Sequence, residues 1–288
     1  MRVDLHLHST ASDGAFPPAR VVREAAKRRI ALMALTDHDS FEGVGEAASA
    51  AAREGVALIP GVELSCEGEQ EVHLLGYGFD TECRAWRGFL QALQQARRDR
   101  ALRVIRLLRE RGCPLDEGNV LGRAAHSVSR IHVAQALVDA GEAASVKEAF
   151  QRYLGVGRPA YVPRARLPVR EAIERLREAG GIPVLAHPGL LRMGDGAIEG
   201  SVRQWRGQGL MGVEAHYPGH SPAQTAAFDR LARELGMLVT GGSDAHGAAV
   251  RPTRIGEGLD GWAEKDRDAR ALWQAAAHKV GELPSQLT

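Results

Sequence analysis

Five or six short apolar runs in this 288-residue chain each end on a histidine, an aspartate or a glutamate, and that recurrence constrains the fold more than any other feature. They are among seven such runs, at residues 3–7, 30–35, 56–59, 72–75, 182–186, 211–215 and 237–240. Their length and β-branched content mark them as strands. Most are separated by amphipathic helical stretches. One of these, PARVVREAAKRR, begins with proline, while SPAQTAAFDRLARELG opens on Ser-Pro and closes on Gly236 as a C-terminal cap. Strand alternating with helix predicts an α/β fold with a parallel sheet, open or closed into a barrel. In a barrel the C-terminal rim of the strands carries the catalytic loops, so polar strand ends would converge there.

The alternation lapses between about Arg97 and Arg166, where QQARRDRALRVIRLLRERG and SRIHVAQALVDAG are helical and no strand separates them. Residues 97–166 therefore read as a helical insertion into a unit made of residues 1–96 and 167–288. The Arg-rich first helix of the insertion reads as a solvated face. From about Gly258 onward the chain reads as a final helix and tail without an assigned role.

The first site candidate is His6-Leu7-His8 with Asp13 just beyond. Residues two apart on a strand share a face, so both imidazoles can meet one ion while Leu7 packs behind them. The second is Thr36-Asp37-His38-Asp39, in which His38 is the expected ligand and the two aspartates are expected as caps or turn formers. Glu63 follows the strand VALIPG, and a carboxylate there can bridge two cations through its two oxygens. His73 in EVHLLGY would add a nitrogen ligand. His187 in LAHP, and Asp244 with His246 in SDAH, repeat the pattern at later strand ends. Taken singly, Glu63 on a surface or His73 in a core would be ordinary. Together they point to one rim. Nitrogen and oxygen donors without sulfur suit zinc, manganese or iron. Two such ions about 3.5 to 4 Å apart favour in-line displacement at phosphorus, although amide hydrolysis would use similar parts.

Bulk properties narrow the partners. Lys plus Arg number 37 against 36 for Asp plus Glu, so no overall basic field is present to hold long duplex nucleic acid. Cys66, Cys83 and Cys113 lack the close spacing of a thiolate knuckle or redox pair, which fits a reducing compartment. No apolar leader segment and no stretch of roughly 20 apolar residues is present, so the expected location is the cytoplasm, away from membranes.

In this order HLHS, TDHD, GVE, the histidine of EVHLLGY, AHP and SDAH resemble the successive motifs of the PHP (polymerase and histidinol phosphatase) family, over residues 1 to about 255. The resemblance implies a distorted seven-stranded (β/α) barrel with a helical insertion and a site for two or three divalent ions, manganese being expected and zinc or iron the alternatives. One ion would take His6, His8, Glu63 and Asp244; a second Glu63, His73 and His187; a third Asp13, His38 and His246. All nine positions hold residues able to bind metal.

Within the family, SRIHVAQALV and GRPAYVP are similar to the subgroup that hydrolyses nucleoside 3',5'-bisphosphates (such as pAp to AMP) and trims short RNA from the 5' end. Ile131 stands where that subgroup has proline. The implied activity is hydrolysis of the 3'-phosphate by a metal-bridging hydroxide. The alternatives are 5'-3' exoribonuclease activity on short 5'-phosphorylated RNA, a small-metabolite monoester phosphatase of the histidinol phosphate type, or a non-catalytic binding module. The expected substrate is a nucleotide or short oligonucleotide. Arg130 and His132, near a helix start, and Arg158 with Tyr161, in a Gly/Pro-punctuated loop, are the candidates for gripping it, against a plain packing role. Arg130 would also steady phosphate oxygens during the reaction. His216, at the end of the run 211–215, would protonate the leaving oxygen or bind a phosphate oxygen. His126, His220 and His278 read as ordinary surface or core residues.

Overall fold

Strands β1 (Arg2–Asp4), β2 (Ile30–Leu35), β3 (Ala57–Cys66), β4 (Val72–Tyr77), β5 (Ile182–Leu185), β6 (Gly212–His216) and β7 (Leu238–Gly241) lie in one sheet in sequence order. The computed structural model describes residues 2–67, 71–164, 167–247, 250, 252–259, 262 and 267–276. The tail beyond residue 276, with His278, lies outside them.

Pairing is parallel throughout except around β4, which runs antiparallel to both β3 and β5. The reason is local. Only a short connection joins Cys66 to Val72, too short for the crossover that a parallel partner needs. β3 is also longer than its apolar run predicts, because GVELSC continues the strand with every residue buried.

The two sheet edges meet. The Leu5 N–H donates to the Gly241 carbonyl at 3.1 Å, the Asp244 N–H to the His6 carbonyl at 2.9 Å, and the His8 N–H to the Ala245 carbonyl at 3.1 Å. These bonds bring the segments after β1 and β7 together at the ends of a seven-stranded α/β sheet, an arrangement consistent with the expected distorted barrel. β1 itself ends at Asp4, and the ligand-bearing segment after it is held by the chain following β7.

Helices α1 (Pro18–Lys27), α2 (Val44–Glu54), α7 (Val169–Glu178), α8 (Asp195–Gly207), α9 (Pro222–Glu234) and α10 (Arg267–Ala276) accompany the strands. Prolines at the start of α1 leave no needed donor unpaired, and its Val21, Val22 and Ala25 face the core. Burying each valine contributes about 1.5 kcal/mol or more, so a charge at Val22 would unseat the helix. α9 begins with a capping box, Ser221 with Gln224.

Helix α3 (Arg84–Arg109) runs without a break through residue 97. Its first half places Trp86 and Leu90 in the barrel core. Its second half places Val104, Ile105 and Leu108 in a separate apolar cluster. α4 (Glu117–Leu121), α5 (Arg130–Asp139) and α6 (Val146–Ala149) complete the helical segment, and Val133, Leu137 and Ala149 join that second cluster. Arg98, Arg103, Arg106 and Arg109 lie on the solvated face expected for α3, but Arg97 and Arg100 depart from it, being 6% and 7% exposed. Both have partners that lie far along the chain, Asp39 and Ser65 for Arg97 and the Val162 carbonyl for Arg100. A guanidinium tolerates burial when so paired. Among the described helices none is long and apolar enough to cross a membrane, and the three cysteines are free.

Candidate metal centre

Glu63 stands at the middle of the rim. Its Oε2 lies 3.3 Å from His6 Nε2, 3.3 Å from His8 Nε2 and 3.0 Å from His38 Nδ1. Its Oε1 lies 2.7 Å from His73 Nδ1 and 3.1 Å from His187 Nε2. Asp244 Oδ1 is 3.1 Å from His8 Nε2 and 3.5 Å from His6 Nε2. Asp13 Oδ1 is 3.4 Å from His246 Nε2, and its Oδ2 is 3.9 Å from His38 Nε2. The structure thus gathers all nine expected side chains into one cluster. His8 faces two ligand sets, one with His6, Glu63 and Asp244 and one with Asp13, His38 and His246, while His38, Glu63 and His73 form a third.

These donors fit cations. His6 Nε2, both ring nitrogens of His8, Asp13 Oδ1, His38 Nδ1, Glu63 Oε2 and His246 Nε2 are buried without a hydrogen-bond partner. Orphaned polar atoms converging on common points are costly unless something positive binds between them. The electrostatics agree. Burial alone would raise the Glu63 carboxyl, yet His38, His73 and His6 hold it well below the usual carboxylate range. Burial opposes charge on His8 and His73, but Glu63 together with Asp244 or Glu71 lifts each to about 9. In His38 burial wins, and its pKa falls well below 6.5 despite Glu63 and Asp13.

The loops that present these groups are built for it. Asp37, expected as a cap or turn former, accepts from the Ser9 N–H at 2.8 Å, the Ser9 hydroxyl at 2.7 Å and the Ser12 hydroxyl at 2.6 Å, fixing the loop that carries Asp13. Asp39, His187 and Asp244 are three of the four non-glycine residues with positive φ among those described. Such strain gathers where surrounding structure holds a side chain in a working position. A Cβ at Gly242 would lie 2.1 Å from the His6 Cβ, so only glycine lets the chain just after β7 approach His6 this closely.

Two expected contributors lie elsewhere. A β-bulge between Glu214 and His216 breaks the alternation of faces along β6. It turns His216 onto Trp262, with ring centroids 5.6 Å apart, and to within 3.7 Å of Asp229. Tyr217 instead reaches the cluster, its hydroxyl donating to Asp244 Oδ2 at 3.2 Å. His132 is buried, and its Nδ1 accepts from the Ser129 N–H at 3.0 Å to complete the capping box of α5. That nitrogen of His132 thus serves the start of α5. Arg158 and Tyr161 sit in a turn where the Tyr161 N–H donates to the Arg158 carbonyl, and Arg158 is exposed. His220 accepts from the Gly189 N–H at 3.0 Å, a structural tie.

Arg130 belongs to a basic patch beside the ligands. Its Nη2 lies 3.4 Å from Glu71, Arg164 Nη2 lies 3.0 Å from the same carboxylate, and Glu71 Oε1 lies 3.5 Å from His73 Nε2. Burial and the charges of Arg130 and Arg164 press the Arg100 guanidinium down to about 9. Sequence reasoning missed Arg100, Arg164, Tyr217 and Glu214. A glutamate inside the apolar run 211–215 was the one signal available for the last.

The PHP domain model matches residues 4–156. The chain belongs to the PHP domain family. A 3',5'-nucleoside bisphosphate phosphatase of Chromobacterium violaceum is 35% identical over 85% of this PHP chain and 87% of its own length. A 5'-3' exoribonuclease of Haemophilus influenzae is 34% identical over 85% of this chain and 90% of its own. The crystal structure of a Bifidobacterium adolescentis protein assigned as a metal-dependent phosphoesterase superposes with a TM-score of 0.87 at 28% identity, covering 97% of this chain and 98% of that one. This PHP protein is accordingly a hydrolase of phosphate esters with a centre for divalent metals.

Proposed function

We propose that the chain removes the 3'-phosphate of nucleoside 3',5'-bisphosphates, such as pAp to AMP. The observation that carries this reading is a cluster of guanidinium groups beside the ligand cluster. Arg100, Arg130 and Arg164 converge there, and Glu71 is the acidic group held by Arg130 and Arg164. One phosphate at the metals and another on this patch is what a bisphosphate offers, and guanidinium forks match phosphate oxygens. The kinship with the Chromobacterium violaceum phosphatase supports the same substrate.

Divalent ions, with manganese proposed and zinc or iron the alternatives, would supply an activated water near neutral pH and neutralise charge on the phosphoryl oxygens. His6, His8, Asp13, His38, Glu63, His73, His187, Asp244 and His246 would hold them, with Glu63 between. Arg100, Arg130 and Arg164 orient the substrate through its other phosphate. Tyr217, fixed on Asp244, is placed to hold a proton near the leaving oxygen. No side chain need form a covalent bond to phosphorus.

A second reading, 5'-3' exoribonuclease activity on short 5'-phosphorylated RNA, is supported by the Haemophilus influenzae relative. The same patch would then hold the 5'-phosphate. With manganese, phosphate release should be measured from adenosine 3',5'-bisphosphate, AMP and histidinol phosphate, and mononucleotide release from a short 5'-phosphorylated RNA. Rapid release from the bisphosphate with AMP left intact is expected. Turnover of histidinol phosphate alone would overturn the substrate assignment and leave the metal centre standing.

A further inference from the structure

β6 carries one carboxylate that the nine-ligand arrangement does not use. Glu214 is fully buried. Its Oε1 lies 3.0 Å from His6 Nδ1, and its Oε2 accepts from the His187 backbone N–H at 2.8 Å. A buried carboxylate is an acceptor only, so the contact with His6 puts the ring proton on Nδ1. The lone pair is then left on Nε2, the atom 3.3 Å from Glu63 and 3.5 Å from Asp244. The other oxygen fixes His187 at the one point where its backbone is strained, at φ 27°, and from there its ring reaches Glu63.

We propose that Glu214 is a positioning residue that sets the ring tautomer of His6 and the backbone seat of His187, and thereby couples two cation sites through one side chain. The inference rests on the proposed metal reading, in which His6 and His187 serve different ions. Asp13, His38 and His246, the ligands of the remaining site, have no described contact with Glu214. Glutamine fits the same space but presents an NH2 to one of the two partners: turned toward the His187 N–H it loses that contact, and turned toward His6 it forces the ring proton onto Nε2.

The test compares wild type with Glu214→Gln at equal protein concentration. Bound manganese is measured by elemental analysis across a range of buffered free manganese, and the thermal midpoint is read in chelator. The expected result is weakening of two sites by about 10- to 100-fold with the third unchanged and the chelator midpoint held. In the variant the imidazole 15N shifts of His6 should move from a single Nδ1–H tautomer to a mixture. Unchanged occupancy of all sites, or equal weakening of every site with a lower chelator midpoint, would overturn the proposal. If wild type itself binds fewer than two ions, the underlying metal reading falls and takes this inference with it. Should the glutamine variant not fold, Glu214→Asp, too short to reach both donors, is read in the same way.

Discussion

Arg97 and Asp39 form an ion pair directly behind the ligand cluster, with side chains only 5% and 4% exposed. Arg97 also donates to the Ser65 hydroxyl at 2.9 Å, while Asp39 accepts from the Ser65 N–H at 3.1 Å. The trio ties α3 to the loop that carries His38 and to the strand that carries Glu63. Removing the arginine leaves a buried charge uncompensated. Arg97→Ala is therefore expected to cost about 3–5 kcal/mol of unfolding free energy in denaturant titration. Pairing Arg97→Met with Asp39→Asn should recover a large part of that loss. Equal losses for the single and double variants would show that the pair itself matters little.

Glu63→Gln should abolish the charge shared between the ligand sets while keeping the side chain's shape. Activity is expected to fall by at least about 100-fold, accompanied by loss of bound metal, because a first ligand outweighs the outer-shell changes that already cost that much. Steady-state rates and metal content measured on one sample decide the matter. Wild-type turnover with unchanged metal would sink the bridging role.

Arg100→Ala and Arg164→Ala should weaken nucleotides bearing two phosphates by about 10- to 100-fold, the worth of one or two charge-assisted hydrogen bonds. Release of phosphate from a simple monoester should change little. A uniform loss on both substrates would place these arginines in the scaffold and not in recognition.

The histidines give the metal-free and metal-loaded forms opposite responses to pH. In the metal-free chain His8 and His73 are raised from 6.5 to about 9, and His6 is raised well above 6.5. A base with a raised folded pKa contributes stability that is fully present below its unfolded value and lost as pH rises through the folded one. The chelated protein should therefore lose thermal stability between about pH 6.5 and 9. The same protons compete with metal, so apparent metal affinity should climb over this window, by up to about tenfold per pH unit for each proton displaced. Differential scanning fluorimetry with and without manganese would show the two slopes, and parallel slopes would contradict the assignment.

Much of the site was legible because its chemistry is carried by short local motifs at strand ends. HLHS, TDHD, GVE and SDAH each name candidate ligands, and the strand and helix periods set the alternating order that brings them to one rim. β4 running backwards followed from a connection too short for a crossover, which the sequence contained but the pattern of alternation hid. What supports the ligands was decided by tertiary structure alone. Glu214 meets His6 across 208 positions and Arg97 meets Asp39 across 58, distances at which no local periodicity operates. Tyr217 took the place expected for His216 because a bulge in β6 shifts the register between Glu214 and His216. Two arginines of α3, Arg97 and Arg100, looked solvated by composition and were buried only when the segments carrying Asp39 and Val162 folded against them. Residue type and spacing dictate which groups can bind a cation; the packing of the sheet ends against one another decides which buried partners hold those groups still.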